Sequence, residues 1–403
     1  MSKFLQRVLL LLLLLLPIVD YLYKWEQSSP AVMIRAGVTA MMGLFLLPQI
    51  IRHFNQRKSP MIPLVMLLSI YILIVTVLID GGFKSFYIYV RVIYPLIGLL
   101  LIYYWTKYEY LDEKFFVVVL FLLIVIYGVI SYLNLGYRLV SRRGLSVADN
   151  TGYSLVTLLA GVLFFTKKKY IFPITIFIII SGALFCGKRG AIVVLFVALL
   201  PLVKYILTSY SRNVIRKMAF IVFAILASLI AVYFFGDYFS AAMARFQKLE
   251  EDGGSGRNTM YMLYLTRFWE SDFIHELFGH GLYAGVWGNG RKYAFIGLLA
   301  HNDWLEMLYD FGIVGCFLYI LIFISVFVKI WNNRKNKDNI YYMLLMSVII
   351  WGLKSMLSST FLMTPNSIYM LMILAYAMAK MEINNKPKNS LNINTRIMST
   401  KTP

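Results

Sequence analysis

The chain is short of cysteine, histidine and acid. Its 403 residues include 2 cysteines, 4 histidines and 19 Asp plus Glu. Cys186 and Cys316 form no CxxC pair and lie in or beside apolar stretches, so neither a disulfide framework nor a thiolate metal site is indicated. They read as small packing residues. His275 and His280 miss the i, i+4 spacing that sets two ligands on one helix face, and His53 falls in a basic connection, so no metal site is expected. No Walker pattern is present, so no nucleotide site is indicated. The sequence also lacks a basic arm and zinc-finger spacing, which argues against a nucleic-acid partner despite a net charge of +20. No internal repeat relates two halves, and no apolar–polar alternation suggests a membrane β-barrel.

What the chain has in abundance is apolar surface. It is 60% hydrophobic with a mean hydropathy of +0.73, against about 45–50% apolar for a soluble domain. Unbroken apolar runs recur along its length, each able to cross a hydrocarbon core as a helix of about 20 residues. About twelve such spans are expected. They run near 4–23, 31–51, 60–79, 86–106, 115–134, 151–166, 170–185, 190–207, 218–235, 304–330, 341–360 and 367–380. The fold class is therefore all-α and polytopic, a single transmembrane domain over 1–380. The opening "MSKFLQRVLLLLLLLLPIVDYLYK" has the charge pattern of a signal peptide, but no Ala-x-Ala site follows promptly. An uncleaved first span is expected.

The loops sort by charge. "RHFNQRK", "KYEYLDEK", "KKK", "SRNVIRK" and "NNRKNK" fall on one side with both termini. That side holds roughly 22 of the 39 Lys and Arg residues, which assigns it to the cytoplasm. The polar, Asn-rich tail 381–403 reads as disordered and cytoplasmic. One outward loop, 236–303, is long and rich in aromatics. It reads as a functional segment with short helices, one of them amphipathic over 258–269 and suited to a membrane surface.

Against that rule, several cations face outward. "YRLVSRRG" carries Arg138, Arg142 and Arg143. "CGKRGA" sets Lys188 and Arg189 in a minimal turn between spans. "GGSGRN" sets Arg257 after a glycine-rich turn. Arg35, Arg91 and Lys354 lie inside spans near their outer ends, where a charge faces a cavity or partner, or snorkels to the interface. Lys354 is followed by Ser355, Ser358, Ser359 and Thr360, a polar helix face. Carboxylates are too few to neutralise these cations, so an anionic outer ligand is expected. Arginine's planar fork suits phosphate, and a pyrophosphate offers acceptors to several forks. On the outer face, the natural candidate is a lipid-linked pyrophosphate.

The stretch "AHNDWLEMLYDFGIVG" places His301 at the outer start of a span. Asn302 or Asp303 is set to cap the helix, Glu306 follows, and Gly312 and Gly315 allow close backbone approach. Here the sequence resembles the O-antigen ligase and O-antigen polymerase superfamily, in its His-Asn/Ser-x-x-Leu…Gly signature. "GKRGA" resembles the family's Ser-Arg-Gly-Ala turn, with Lys188 where serine is usual. "GSGRNTMY" and "LFGHGL" resemble its periplasmic loop. The resemblance covers most of residues 151–330.

The resemblance implies a metal-independent glycosyltransferase of the bacterial inner membrane, with its active site periplasmic and no cofactor. It would move a glycan from a polyprenyl-pyrophosphate-linked oligosaccharide to an acceptor glycan, among membrane lipid. A chain-length regulator protein is a further candidate partner. The family's arginine pair falls on Arg189 and Arg257 and its histidine on His301. The chemistry agrees: His301 is the best-placed base for the acceptor hydroxyl, and Glu306 is either an alternative base or orients the imidazole. Arg189 and Arg257, helped by Arg142, Arg143 or Arg91, would meet the charge growing on the leaving pyrophosphate. His280 reads as a loop-structural residue.

Polymerase, extending one lipid-linked chain with another, is the first reading, because the "SGRN…FGHGL" loop resembles polymerase-like members. The alternative is a ligase, which transfers the chain to the lipid A core. From a different class, a transporter or lipid flippase remains the rival. Such proteins carry repeated halves and midplane charges, whereas the polar residues here crowd the outer edge.

Overall fold

The computed structural model describes residues 3–22, 30–53, 59–80, 83–140, 150–210, 257–287, 296–297, 299–359 and 367–384. The expected span 218–235, the arginines Arg142 and Arg143, and the tail from residue 385 lie outside these. So do residues 236–256 and 288–295 of the long loop.

The described residues are helical and contain no strand. In chain order the helices are α1 (Lys3–Leu22), α2 (Pro30–His53), α3 (Met61–Val75), α4 (Phe83–Lys107), α5 (Glu113–Val140), α6 (Thr151–Leu158), α7 (Ile171–Phe185) and α8 (Arg189–Tyr205). The long-loop region gives α9 (Arg257–Trp269), α10 (Phe273–Phe278) and α11 (Ala284–Trp287), and then come α12 (Asp303–Asn332), α13 (Asn339–Leu357) and α14 (Ser367–Asn384). A 3-10 turn extends α6 over Leu159–Phe165, and single π turns end α3 and α8. Each expected span that falls within the described residues coincides with a helix. Among the described residues, five stretches are long and apolar enough to cross a membrane: Met61–Leu78, Glu113–Tyr137, Arg189–Ser209, Asp303–Asn332 and Asn339–Leu357. The architecture is compatible with a multi-pass membrane protein.

The core gathers around α14. From Ser367 to Ala379 every side chain of this helix is buried, so it has no polar face to show to water. It lies along α4 and α13 and also touches α6. Gly98 of α4 sits under Ile368, and Gly161 sits under Ile373. Tyr369 joins three helices, its hydroxyl bonded to Tyr127 of α5 (3.0 Å) and donating to the Leu14 carbonyl of α1 (3.0 Å). Outside, Leu44, Ile70, Leu122, Phe196 and Phe317 are exposed on α2, α3, α5, α8 and α12. An apolar belt of this kind is stable when lipid surrounds it, because lipid tails are as apolar as the side chains they meet.

The helix ends opposite the long loop are tied by ion pairs. Glu382 of α14 lies 3.0 Å from Lys107 of α4 and 3.7 Å from Lys329 of α12, and accepts from the Tyr103 hydroxyl at 2.7 Å. These contacts bury the last turn of α14, which runs on to Asn384, past the boundary expected after residue 380. Arg7 of α1 meets Asp112, which also accepts from the Phe115 N–H and so starts α5.

Candidate active site at the start of α12

The mouth of α12 is built by its own caps. Asn302 has extended backbone, and its side chain accepts from the N–H groups of Trp304 (3.0 Å) and Leu305 (3.3 Å). Two of the donors that a helix start leaves unpaired are thereby satisfied. Glu306, one turn in, reaches back past the cap and accepts from the main-chain N–H of His301 at 2.8 Å. The sequence offered Glu306 as an alternative base or as the group that orients the imidazole; its bond to His301 is to the main chain. Its carboxylate also accepts from the Ser359 hydroxyl, at 3.0 and 3.3 Å. Lys354 in turn donates to the Ser359 carbonyl at 3.1 Å. The end of α13 is thus fastened to the start of α12.

The turn between α7 and α8 arrives at the same place. Gly187, with φ of 61°, turns the chain. Lys188 is extended and precedes Arg189, the first residue of α8. A Cβ on Gly190 would lie 2.1 Å from the Tyr153 hydroxyl oxygen and 3.6 Å from Leu357 Cβ. Glycine leaves room for the Tyr153 hydroxyl of α6 where α8 begins, while the end of α13 lies at ordinary contact distance. Tyr153 is the hub of this corner. The ammonium groups of Lys188 and Lys354 stand 5.5 and 5.3 Å from its ring centre, within the range of cation–π attraction. Its hydroxyl is close to Ser358 but outside hydrogen-bonding geometry. Lys188 also donates to the Asn150 side chain.

Arg257 is the first residue of α9, and its charge acts on both Tyr153 and His301. The Tyr261 hydroxyl, donating to the Met356 carbonyl at 3.3 Å, holds α9 against the end of α13. The His301 side chain is open to solvent at its edge. Its pKa lies below the ordinary 6.5 because protein packs around the rest of the ring and because Lys188 and Arg257 repel a second positive charge. An accessible imidazole that stays neutral at physiological pH can accept a proton.

The structure brings together His301, Glu306, Arg257 and the Lys188–Arg189 turn. It also adds two residues that the sequence did not place in the site. Lys354 was visible as a charge inside an apolar span, but nothing local assigned it to this corner. Tyr153 gave no signal, since its role depends on how α6 packs against α8. The Arg91 side chain, like Arg142 and Arg143, lies outside the described residues.

His280 sits apart from this corner. It is buried, shares a hydrogen bond of 2.7 Å with Ser271 and stacks on His275 with ring centres 4.7 Å apart. Its N–H donates to the Tyr309 carbonyl at 3.1 Å, and Gly281 N–H donates to Asp310 at 2.9 Å. These bonds dock α10 on α12, the loop-structural part expected of His280. Among the described residues no three His, Cys, Asp or Glu side chains are grouped to hold a metal ion.

No protein-family model matches the chain, and no curated protein matches it. The motif resemblance therefore rests on the short stretches quoted above, and the functional reading rests on the geometry of this corner.

Proposed function

We propose that the chain is a membrane glycosyltransferase. It takes a glycan from a polyprenyl pyrophosphate carrier and passes it to a hydroxyl of an acceptor sugar at the periplasmic face of a bacterial inner membrane. In this reading about twelve helices cross the membrane, both termini are cytoplasmic, and the product is a surface polysaccharide extended by repeat units. The observation that carries the reading is one accessible, neutral imidazole within electrostatic range of Lys188 and Arg257, beside the start of α8 that carries Arg189. Few reactions need a base and several cations but no protein acid. Glycosyl transfer from a pyrophosphate is one, because the leaving group carries its own charge away.

The acceptor oxygen attacks the anomeric carbon, and its proton passes to a ring nitrogen of His301. The bond between the anomeric carbon and the pyrophosphate oxygen breaks, and the electron pair leaves on that oxygen. Arg257, Arg189 and Lys188 stabilise the charge that grows there. The N-terminus of α8 adds its own partial positive charge at the same point.

The test is reconstitution of the full chain in vesicles with a defined lipid-linked repeat unit. A product ladder without added lipid A core supports polymerase, and a single transfer that requires core supports ligase. His301→Ala should still bind donor but turn over about 10²–10⁴-fold more slowly. Wild-type protein that transports the lipid and transfers nothing would sink the enzyme reading in favour of a flippase. A cysteine at Ser255 should react with a membrane-impermeant thiol reagent before the inner membrane is broken; labelling only afterwards would reverse the topology.

A further inference from the structure

His301 carries its ring on an uncommon main-chain conformation. Its φ is 52°, in the left-handed region that few residues with a Cβ adopt, and a fixed contact selects it here. The contact comes from Glu306, which accepts the His301 N–H at 2.8 Å. Glu306 is 3% exposed, and its carboxyl group also takes the Ser359 hydroxyl. A buried carboxylate whose oxygens already face protein donors is poorly placed to touch an acceptor hydroxyl, whereas the His301 side chain is open to solvent.

We infer that Glu306 is a positioning residue and not the base: with Ser359 and Lys354 it forms a buried strut from the end of α13 that locks the His301 backbone and thereby aims the imidazole. The strut runs from Lys354 Nζ to the Ser359 carbonyl, from the Ser359 hydroxyl to Glu306, and from Glu306 to the His301 N–H. Its chemical demand is an acceptor oxygen at the Oε1 position. A glutamine side-chain oxygen meets that demand, although glutamine cannot take a proton at neutral pH. Base and strut therefore give opposite results in the same variant.

This inference rests on the reading of His301 as the base, and the experiment separates the two. Glu306→Gln and Glu306→Ala are compared with wild type in reconstituted full-length protein. Glu306→Gln should keep kcat within about threefold, because the glutamine oxygen still accepts the His301 N–H. Its acid limb in the pH–rate profile should stay where wild type has it. Glu306→Ala should lower kcat by about 10²-fold with the donor KM unchanged, the loss expected when a catalytic group is misplaced by about 1 Å. Hydrogen exchange at the His301 amide gives a readout independent of turnover. It should be slow in wild type and Glu306→Gln and fast in Glu306→Ala. A Gln variant that folds but is as inactive as the Ala variant makes Glu306 the base and overturns the inference, as does wild-type turnover and exchange in the Ala variant. If the Ala variant fails to fold, the Gln variant alone still decides. If wild type transfers nothing from a lipid-linked pyrophosphate, the glycosyltransferase reading fails, while the exchange data still judge the strut.

Discussion

Replacing Gly312 with alanine should detach α10 from α12. Gly312 has φ of 65° and ψ of −169° in the middle of α12, a conformation open essentially to glycine and costing other residues about 1–3 kcal/mol. The added Cβ would lie 2.4 Å from the carbonyl carbon and oxygen of Leu277 and 2.6 Å from the Gly279 nitrogen. Those are backbone atoms with no rotamer to change, so relief means moving α10 away. That motion breaks the bonds from His280 N–H to Tyr309 (3.1 Å) and from Gly281 N–H to Asp310 (2.9 Å). It also strains the Tyr71 hydroxyl, which reaches both the Phe278 carbonyl (3.2 Å) and that of Phe311 (2.7 Å). At about 1 kcal/mol for each lost bond, added to the backbone strain, the local cost is about 3–6 kcal/mol. Hydrogen exchange over residues 277–284 should then rise by about 10²-fold or more, while the core around α14 stays protected. Gly37→Ala in α2 is the control: nothing lies within 4 Å of its added Cβ, and alanine there should be neutral or favourable by up to about 1 kcal/mol. Wild-type exchange over 277–284 in the Gly312 variant would refute the account of this kink.

Other consequences can be measured on the same preparations. Lys188→Gln removes a positive charge that disfavours the His301 imidazolium. The His301 pKa should rise toward 6.5, and the acid limb of the pH–rate profile should move to higher pH with it. An unmoved limb means that His301 is not the group titrating. Arg189→Lys and Arg257→Lys keep charge but lose the planar fork, so turnover should fall severely at equal expression; wild-type turnover in both would rule out paired hydrogen bonding to phosphate. Glu382→Ala leaves Lys107 and Lys329 facing each other without the carboxylate between them. Thermal unfolding should report a loss of about 3–5 kcal/mol, the usual result of removing one member of a buried ion pair.

The helices were legible because membrane helices announce themselves residue by residue. An apolar run long enough to cross lipid has few other folds available. A cap at Asn302 or Asp303 was legible for the same local reason, and the structure assigns it to Asn302, whose bonds reach only two and three residues ahead. What local reading missed depends on chain segments far apart. The end of α14 was placed too early because the polar, Asn-rich tail was read as starting at residue 381, whereas Lys107 and Lys329 on other helices draw Glu382 inward. Tyr153 could not be placed without knowing that α8 begins at Gly190 against α6. Glu306 was recognised as part of the site, but its partner is a backbone N–H exposed by an unusual φ at His301, and no pattern of side chains encodes that.

The position of α14 in the chain sets an order of assembly. This helix fills the centre of the bundle, yet it leaves the ribosome after every helix it packs against. Until it arrives, Gly98 of α4 and Gly161 line a groove with nothing in it, and the Tyr127 hydroxyl of α5 lacks Tyr369. The earlier helices can insert one by one, but their mutual packing stays provisional until Ser367–Asn384 slots between them. Pauses in synthesis across the codons for Ser367–Asn384 therefore bear on folding yield more than pauses across those for α1. Mutations in α14 should act on how much protein accumulates before they act on what it does.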